Sequence, residues 1–281
     1  NRKGKFICVE GNEKLNLDSD IQGLCNPKSS TGRLDIFCRT VLNFSDEYEK
    51  IPYNYKGEMF IEITPRSFDI EFKQGDSLNQ MRLSFIKNDF IEDNELKKIH
   101  NSNAIVFDEK NNKIIPNILN GLRVSVDLNS NNNIIAYKAR KKTPLLIFNK
   151  IHHHKIDDFW IPIKAKNNSI IVEKDNFYIL KSKEKIRIPN NMAGEMIPYD
   201  TGIGDFRVHY AGFFDPGFGD PNGSYAVLEV KTNEIPFLLE DNQTIARIKY
   251  EKLNKESSVV YGKAINSNYQ NQALTLSKHF I

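Results

Sequence analysis

The sequence predicts an all-β fold, and three observations support this prediction. Most apolar residues lie in short segments that alternate with polar ones or are rich in β-branched and aromatic side chains. Turn sequences such as "YKGE", "KQGD" and "DPNG" separate these segments. Only "DNELKKIHN", residues 93–101, has the pattern of a helix. A sandwich or barrel of short strands is therefore expected.

The predicted strands run through the whole chain. Each one alternates apolar with polar residues or is rich in β-branched and aromatic side chains. In chain order they are "KFICVEG", "MFIEITP", "FDIEF", "MRLSFI", "LRVSVDL", "NNIIAYKA", "SIIVEKDNFYILKSK", "YAVLEV" and "ARIKYEKL".

Amino-acid composition indicates which binding partners and which cellular compartment to expect for the protein. The chain has 281 residues, of which 40% are hydrophobic, and a formal net charge of +3. This balance predicts neither a nucleic-acid nor a membrane partner, and no apolar run reaches the ~18 residues of a membrane helix. Cys8, Cys25 and Cys38 form no CxxC pair, which predicts small core residues in a reducing cytoplasm. The chain opens without Met on a strand-like segment, so we expect a missing N-terminal segment.

Two parts of the chain resemble each other. Residues 51–85 and 214–250 both run from a turn, through a strand with an internal Glu, to a second apolar strand. Glu62 and Glu229 occupy the same place in the two copies. The sequence therefore predicts two related β domains, at 1–88 and 118–281, joined by a segment at 89–117 that contains the short helix.

The segment "NPKSSTGR" could bind a phosphate group. Its two adjacent hydroxyls lie between Lys28 and Arg33, and Gly32 relaxes the backbone. Cationic and hydroxyl donors suit a polyphosphate. An ordinary solvated loop is the alternative.

The turn "FFDPGFG" could present Asp215 to a sugar hydroxyl, with an aromatic ring against the sugar. Asp-Pro-Gly is also a good turn former in its own right, so a purely structural role is the alternative. In "YAVLEV", alternation places Glu229 beside Val227, where desolvation would suit a general base. The alternative is that this is the solvated face of an antiparallel sheet.

Two further segments are polar and aromatic. The tail from Tyr261 onward carries several amide side chains, which could close over a ligand or belong to a frayed terminus. The segment "IHHHKIDDFW" matches no common zinc spacing, because neighbouring side chains point apart. We interpret it as a surface loop.

Taken together, "KSSTGR", "FFDPGFG…VLEV" and "NYQNQ" resemble the motifs of the dCTP deaminases, which belong to the dUTPase-like β superfamily. The order of motifs is most similar to the two-repeat type of alphaproteobacteria. The resemblance covers essentially the whole chain. It implies a tandem of two dUTPase-like distorted β-barrel or jelly-roll repeats with a few short helices. Family members are longer at the front, so repeat one is expected to be incomplete there.

The resemblance also implies roles for individual residues. The phosphate-binding motif, which helps hold the catalytic water, maps onto Lys28, Ser29, Ser30 and Arg33, with Lys in place of the family's first Arg. The deoxyribose contact maps onto Asp215 and the general base onto Glu229. Further ligand contacts map onto Val227, Ala211, Tyr261 and Gln272, and Asn268 replaces a phosphate-binding Lys of the family.

Each repeat lacks one half of the motif set. Pro52 stands where repeat one should carry the turn Asp, and "PYDTG" (198–202) stands where repeat two should carry Ser-Ser-x-x-Arg. One composite site is therefore expected, within a chain or between chains, with Glu62 as a structural relic.

The implied reaction is hydrolysis of dCTP to dUTP and ammonia. Glu229, Ser29 and Arg33 are its catalytic residues, without a protein-bound metal. Mg²⁺ is expected on the substrate triphosphate. The alternatives are dUTP pyrophosphatase activity, alone or in addition, and a nucleotide-binding module without turnover. The resemblance also suggests dTTP as a feedback ligand and assembly into a homo-oligomer.

Overall fold

The computed structural model describes the chain except for residues 1, 86–89, 130–133, 165–166, 199–205, 208–211, 233–234, 259–260 and 263–268. It divides into two compact units. Unit 1 comprises Asn1–Asn88, Ala139–Trp160 and Leu276–Ile281, and unit 2 comprises Asp89–Lys138 and Ile161–Thr275.

The all-β prediction is confirmed, because strands dominate both units. In chain order the elements are β1 Ile7–Asn16, β2 Ile21–Pro27, α1 Ser29–Gly32, β3 Ile36–Leu42, β4 Lys50–Ile51, β5 Lys56–Pro65, β6 Ile70–Glu71, β7 Asn79–Phe85, α2 Asp93–Ser102, β8 Val106–Phe107, β9 Leu122–Ser125, β10 Ile134–Ala139, β11 Leu146–Ile147, α3 Ile156–Phe159, β12 Trp160–Lys164, β13 Ser169–Val172, β14 Phe177–Ile186, β15 Met192–Pro198, β16 Phe206–Arg207, β17 Phe213–Phe214, β18 Ser224–Thr232, β19 Phe237–Glu240 and β20 Thr244–Lys252.

Unit 1 contains two small antiparallel sheets, with strand orders β1-β5-β3 and β4-β2-β7. A parallel pair, β6 with β11, ties the 139–160 segment to the first part of the unit. An aromatic cluster fills the core beside this pair. The ring of Phe68 lies edge-on to Phe159 and Trp160, with centroids 5.4 Å away in each case.

Unit 2 is built from two larger sheets. One contains β10, β14, β18 and β16 in that order, and the other has the order β17-β15-β20-β9. One face of β14 and β18 supplies part of the core, since Tyr178, Leu180, Leu228 and Val230 are all buried. The opposite face of β18 carries Glu229, which places this residue away from the main core.

The predicted helix is confirmed as α2, whose Leu96 is fully buried. The long predicted strand at 169–183 is instead two strands, β13 and β14, because Asp175 turns the backbone with φ of +57°. The sequence pattern missed several strands, among them β2, β3, β15 and β19. Of these, β2 and β15 contain Gly or Pro and lack clear alternation. In β15, a Cβ on Gly194 would lie 2.8 Å from Cδ1 of Ile188, so a larger residue there would have to displace the end of the Ile188 side chain.

Two further expectations need correction. Cys25 and Cys38 are buried, as predicted, but Cys8 is exposed, because it lies on β1, an edge strand. The surface-loop interpretation of "IHHHKIDDFW" holds for residues 151–153, which are exposed. His154 is buried, Ile156–Phe159 form α3 and Trp160 begins β12, and Phe159 and Trp160 belong to the aromatic core. Within the described ranges, no helix is both long and apolar enough to cross a membrane.

Candidate active site

The predicted phosphate-binding segment forms a single helical turn in unit 1. Strand β2 ends at Pro27, Lys28 is extended with φ of −69° and ψ of 150°, and the turn α1 follows. Two bonds hold the turn to the carbonyl oxygen of Leu78: the Lys28 N–H donates at 2.9 Å and the Thr31 hydroxyl donates at 2.8 Å. The backbone shape of this segment is therefore fixed by buried contacts, unlike that of a solvated loop.

Positive charge surrounds this turn. Arg33 is 3% exposed, and Lys28 is partly buried with its Nζ 3.3 Å from the hydroxyl of Ser77. Burial lowers the pKa of Lys28, and the nearby charge of Lys278 lowers it further. Sequence reasoning missed Lys278, which lies 250 positions away along the chain yet acts on Lys28. Hydroxyl donors combined with these cations suit a polyphosphate.

The Asp-Pro-Gly segment forms a compact corner in unit 2. Gly217 donates to the carbonyl of Ile188 at 3.0 Å, and Ile188 donates back to the carbonyl of Phe218 at 2.8 Å. The ring of Phe218 packs between Phe214, at 5.0 Å, and Tyr261, at 5.8 Å. The aromatic residues thus hold the corner to the core. Asp215 begins the corner and is exposed, so its contact with deoxyribose stays a prediction.

Glycine is required inside this corner. Gly219 has a φ of +71°, and a Cβ there would lie 2.1 Å from the carbonyl oxygen of Ile186. No side chain can be accommodated without moving the backbone. The conformation of the segment that leads from Asp215 to strand β18 is therefore specified by Gly219.

Glu229 lies on β18 and is 2% exposed, opposite Ile179 of β14. Its alternation partners on the same face are Tyr225, Val227 and Lys231, and Lys231 is also buried. The solvated-face alternative for this strand is therefore wrong. A buried carboxyl beside Val227 can exchange a proton with a bound molecule without competition from bulk water.

The tail contacts the same region of unit 2. Tyr261 donates its backbone N–H to the carbonyl of Pro216 at 3.0 Å. Gln272 is 8% exposed: its backbone N–H donates to the Ser224 hydroxyl at 3.1 Å, and its side-chain amide donates to the Tyr225 carbonyl at 2.8 Å. These two residues therefore lie beside the corner and the start of β18, so the frayed-terminus alternative is wrong for them.

The Glu of repeat one has a different environment. Glu62 lies on β5 and accepts hydrogen bonds from Arg39, at 2.9 Å from Nε and 2.5 Å from Nη2, both to the same carboxylate oxygen. The Arg39 guanidinium in turn stacks 3.9 Å from the Tyr48 ring. This carboxylate is committed to an ion pair, as a structural residue would be.

The predicted residues thus form two groups. Unit 1 contains Lys28, Ser29, Ser30 and Arg33, and unit 2 contains Asp215, Tyr261, Gln272, Val227 and Glu229. The prediction that both groups act on one substrate molecule stays a prediction. Ala211, Asn268 and most of "PYDTG" lie outside the described residues. In the described part, no group of three or more His, Cys, Asp or Glu side chains is arranged to hold a metal ion.

Comparisons with known proteins identify the family of the chain. A family model described as 2'-deoxycytidine 5'-triphosphate deaminase (DCD) N-terminal domain matches residues 2–89, and the C-terminal domain model of the same family matches residues 92–280. A search of curated proteins finds no match. Among solved structures, the chain is similar to the crystal structure of 2'-deoxycytidine 5'-triphosphate deaminase from Agrobacterium tumefaciens, with 39% identity and a TM-score of 0.84 over 91% of this chain and 76% of that chain. Since the two models together span nearly the whole sequence, the chain belongs to the 2'-deoxycytidine 5'-triphosphate deaminase family.

Proposed function

We propose that this enzyme hydrolyses dCTP to dUTP and ammonia, with Glu229 as the general base. The main observation that supports this proposal is the burial of Glu229 on β18. The two parts of the chain also both match the deaminase family. The other Glu at the equivalent repeat position, Glu62, is held in an ion pair. We therefore assign the proton transfers to Glu229 and a structural role to Glu62.

In this proposal Glu229 removes a proton from a water molecule, which attacks C4 of cytosine. The carboxyl then delivers that proton to the ring nitrogen, and a tetrahedral intermediate forms. A second proton transfer through Glu229 converts the amino group into ammonia, which leaves as the C4 carbonyl of uracil forms. One water molecule is consumed and one ammonia is released, so the step balances without an oxidant. The proton transfers need no metal hydroxide.

The α1 turn would bind the triphosphate. Lys28 and Arg33 supply positive charge and Ser29 and Ser30 supply hydroxyl donors, while a Ser hydroxyl also orients the attacking water. None of these side chains is a carboxylate, so this donor set fits phosphate oxygens rather than a divalent cation. Mg²⁺ would accordingly be held by the triphosphate, where it neutralises phosphate charge. Asp215, Tyr261 and Gln272 would contact the deoxyribose and base end, and Val227 would lie beside the base.

Reaction in ¹⁸O-labelled water tests this proposal directly. Deamination places one labelled oxygen on C4 of uracil, so dUTP gains mass in the base while its phosphates stay unlabelled. A pyrophosphatase acting on dUTP would instead place the label on a phosphorus atom of dUMP or pyrophosphate. A nucleotide-binding module would release no labelled product. Mass spectrometry of the base and phosphate fragments distinguishes the three outcomes, and label confined to phosphate would contradict the proposal. Feedback by dTTP and homo-oligomeric assembly also stay predictions.

A further inference from the structure

The last residues of the chain lie against the phosphate-binding turn within unit 1. The terminal segment, residues 276–281, is held by backbone hydrogen bonds to the 152–156 segment. His152 donates to the carbonyl of Lys278 at 2.9 Å, and Ile281 donates to the carbonyl of His154 at 2.9 Å. The terminal segment is thus an ordered part of unit 1 with a fixed position.

Ser277 connects this segment to the turn α1. Its hydroxyl lies 2.9 Å from the carbonyl oxygen of Ser30 and 2.9 Å from Nδ1 of His279, and all three residues are buried. A carbonyl oxygen can only accept, so the single hydroxyl proton of Ser277 is donated to Ser30. Nδ1 of His279 must then carry a proton and donate it to the Ser277 oxygen. The two hydrogen bonds thus form a chain in which His279 donates to Ser277 and Ser277 donates to Ser30.

The environment of His279 keeps this direction fixed. The residue is fully buried, and its ring packs 4.8 Å from the ring of Phe148. Burial lowers the pKa of His279 to about 4. A hydrogen bond from the ring to the Phe148 backbone opposes this shift, and the charges of Lys278, His154 and His152 add smaller contributions in the same direction as burial. At neutral pH the ring is therefore uncharged, and its one proton is committed to Nδ1 by the bond to Ser277.

We propose that Ser277 and His279 are positioning residues that hold the α1 turn in its phosphate-binding shape. The turn is held on one side by the Thr31 hydroxyl, which donates to Leu78, and on the other by the Ser277 hydroxyl, which donates to Ser30. With both bonds in place, the Ser29 and Ser30 hydroxyls and the Arg33 guanidinium keep a fixed arrangement. This inference rests on the proposed role of the turn in binding the triphosphate.

The variant Ser277→Ala removes the bond to Ser30 and leaves the rest of the segment in place. We expect KM for dCTP and the inhibition constant of inorganic tripolyphosphate to rise by about tenfold, because the free energy of one lost hydrogen bond corresponds to about that factor. The value of kcat should change much less. Thr275→Val is the matched control, since it removes a hydroxyl from the preceding stretch of chain that donates to the nearby carbonyl of Ala273, at 3.4 Å. A merely structural role would lower the unfolding temperature without changing either constant.

Conservative variants provide rescue. Ser277→Thr keeps the hydroxyl, and His279→Asn places an amide N–H near the position of Nδ1. Both variants should retain KM and inhibition constants close to those of the wild type. His279→Leu removes the donor and should behave like Ser277→Ala. If Ser277→Ala does not fold, the His279→Asn and His279→Leu pair carries the test. Wild-type constants in a folded Ser277→Ala and His279→Leu, or an equal rise in Thr275→Val, would overturn the inference.

The test also separates this inference from the proposed function. If the wild-type chain forms no dUTP, the proposed function fails, and calorimetric binding of tripolyphosphate then replaces KM as the measurement. Weaker tripolyphosphate binding by Ser277→Ala would still support the positioning role. Equal binding by the two chains would overturn it.

Discussion

Arg39 donates to Glu62 from both Nε, at 2.9 Å, and Nη2, whereas the equivalent Glu229 lies buried beside Val227 on a strand opposite Ile179. A guanidinium that forms two bonds to one oxygen holds that carboxylate in place. The two equivalent positions therefore have different surroundings: Glu62 is paired with Arg39, and Glu229 is buried on β18.

The first prediction compares these two carboxyls by the same isosteric change. Glu62→Gln should keep at least a third or so of wild-type kcat, because only a partly exposed ion pair worth about 1 kcal/mol is weakened. The measurement is steady-state deamination of dCTP, with circular dichroism and unfolding temperature as the folding control. A loss of two or more orders of magnitude in a folded Glu62→Gln would contradict the assignment of Glu62 as structural.

The second prediction concerns Arg33. Arg33→Ala should reduce kcat/KM for dCTP by roughly a hundredfold or more, because it removes the buried cation that we propose binds the triphosphate. Arg33→Lys, which keeps the charge but not the planar fork, should be intermediate. Equal activity of all three chains would show that Arg33 takes no part.

Mixing Arg33→Ala with Glu229→Gln extends this second test. If the two motifs act on one substrate across different chains, the mixture regains part of the wild-type activity, because some sites combine both intact motifs. If they act within one chain, the mixture stays inactive. Recovery therefore distinguishes the two forms of the composite site that the sequence leaves open.

The third prediction concerns pH and stability in unit 1. Burial raises the pKa of Glu49 to about 7, against hydrogen bonds from Thr40 and the charge of Arg39, which lower it. The folded chain then holds this proton more tightly than the unfolded chain, so the contribution of Glu49 to stability is present below about pH 4.5 and is lost as pH rises towards 7. His279, with its lowered pKa, has the opposite effect: stability is lost as pH falls from about 6.5 to about 4.

The pH dependences of stability that arise from Glu49 and His279 oppose each other in the wild type. Replacing one of the two residues leaves the effect of the other. Relative to wild type, Glu49→Gln should gain stability as pH rises through this window, and His279→Asn should gain stability as pH falls. Each change should be on the order of 2 kcal/mol. Urea unfolding can be followed by the fluorescence of Trp160, which is the single Trp of the sequence and is fully buried in unit 1. Parallel pH profiles for all three chains would contradict both pKa directions.

The fourth prediction concerns the corner after Asp215. Gly219→Ala should destabilise the chain by roughly 3 kcal/mol or more and reduce activity, because its Cβ would collide with the Ile186 carbonyl. Gly75→Ala is the control: its φ is also positive, at +89°, but a Cβ there meets nothing within 4 Å. Only the cost of the left-handed backbone, about 1–2 kcal/mol, applies to Gly75→Ala. Similar unfolding temperatures for the two variants would show that the corner can relax.

Strand β18 shows what the sequence could predict. Alternation assigned Glu229 and Val227 to one face and Leu228 and Val230 to the other, because side-chain period in a strand is a local property. The same locality explains the correct helix α2. Whether the Glu229 face is solvated could not be read from alternation, because its burial depends on residues distant in sequence.

Contacts between residues that are distant in the sequence could not be predicted from local sequence patterns. Ser30 and Ser277 are separated by 247 residues, and nothing in either segment alone indicates that they touch. His154 is likewise buried through its bridge to Phe280, although its neighbours His152 and His153 are exposed. Strand β2 was missed because its Gly and Pro lower strand propensity, which pairing with β7 overrides.

The most direct test of the central claim is product analysis by ion-exchange chromatography after incubation of the chain with dCTP and Mg²⁺. The proposal predicts a dUTP peak with an equal amount of ammonia, reduced by at least about a hundredfold in Glu229→Gln, the contribution typical of a general base. Undiminished formation of dUTP by a folded Glu229→Gln would contradict the role of Glu229. A folded wild-type chain that binds dCTP without forming dUTP would contradict the proposed reaction itself.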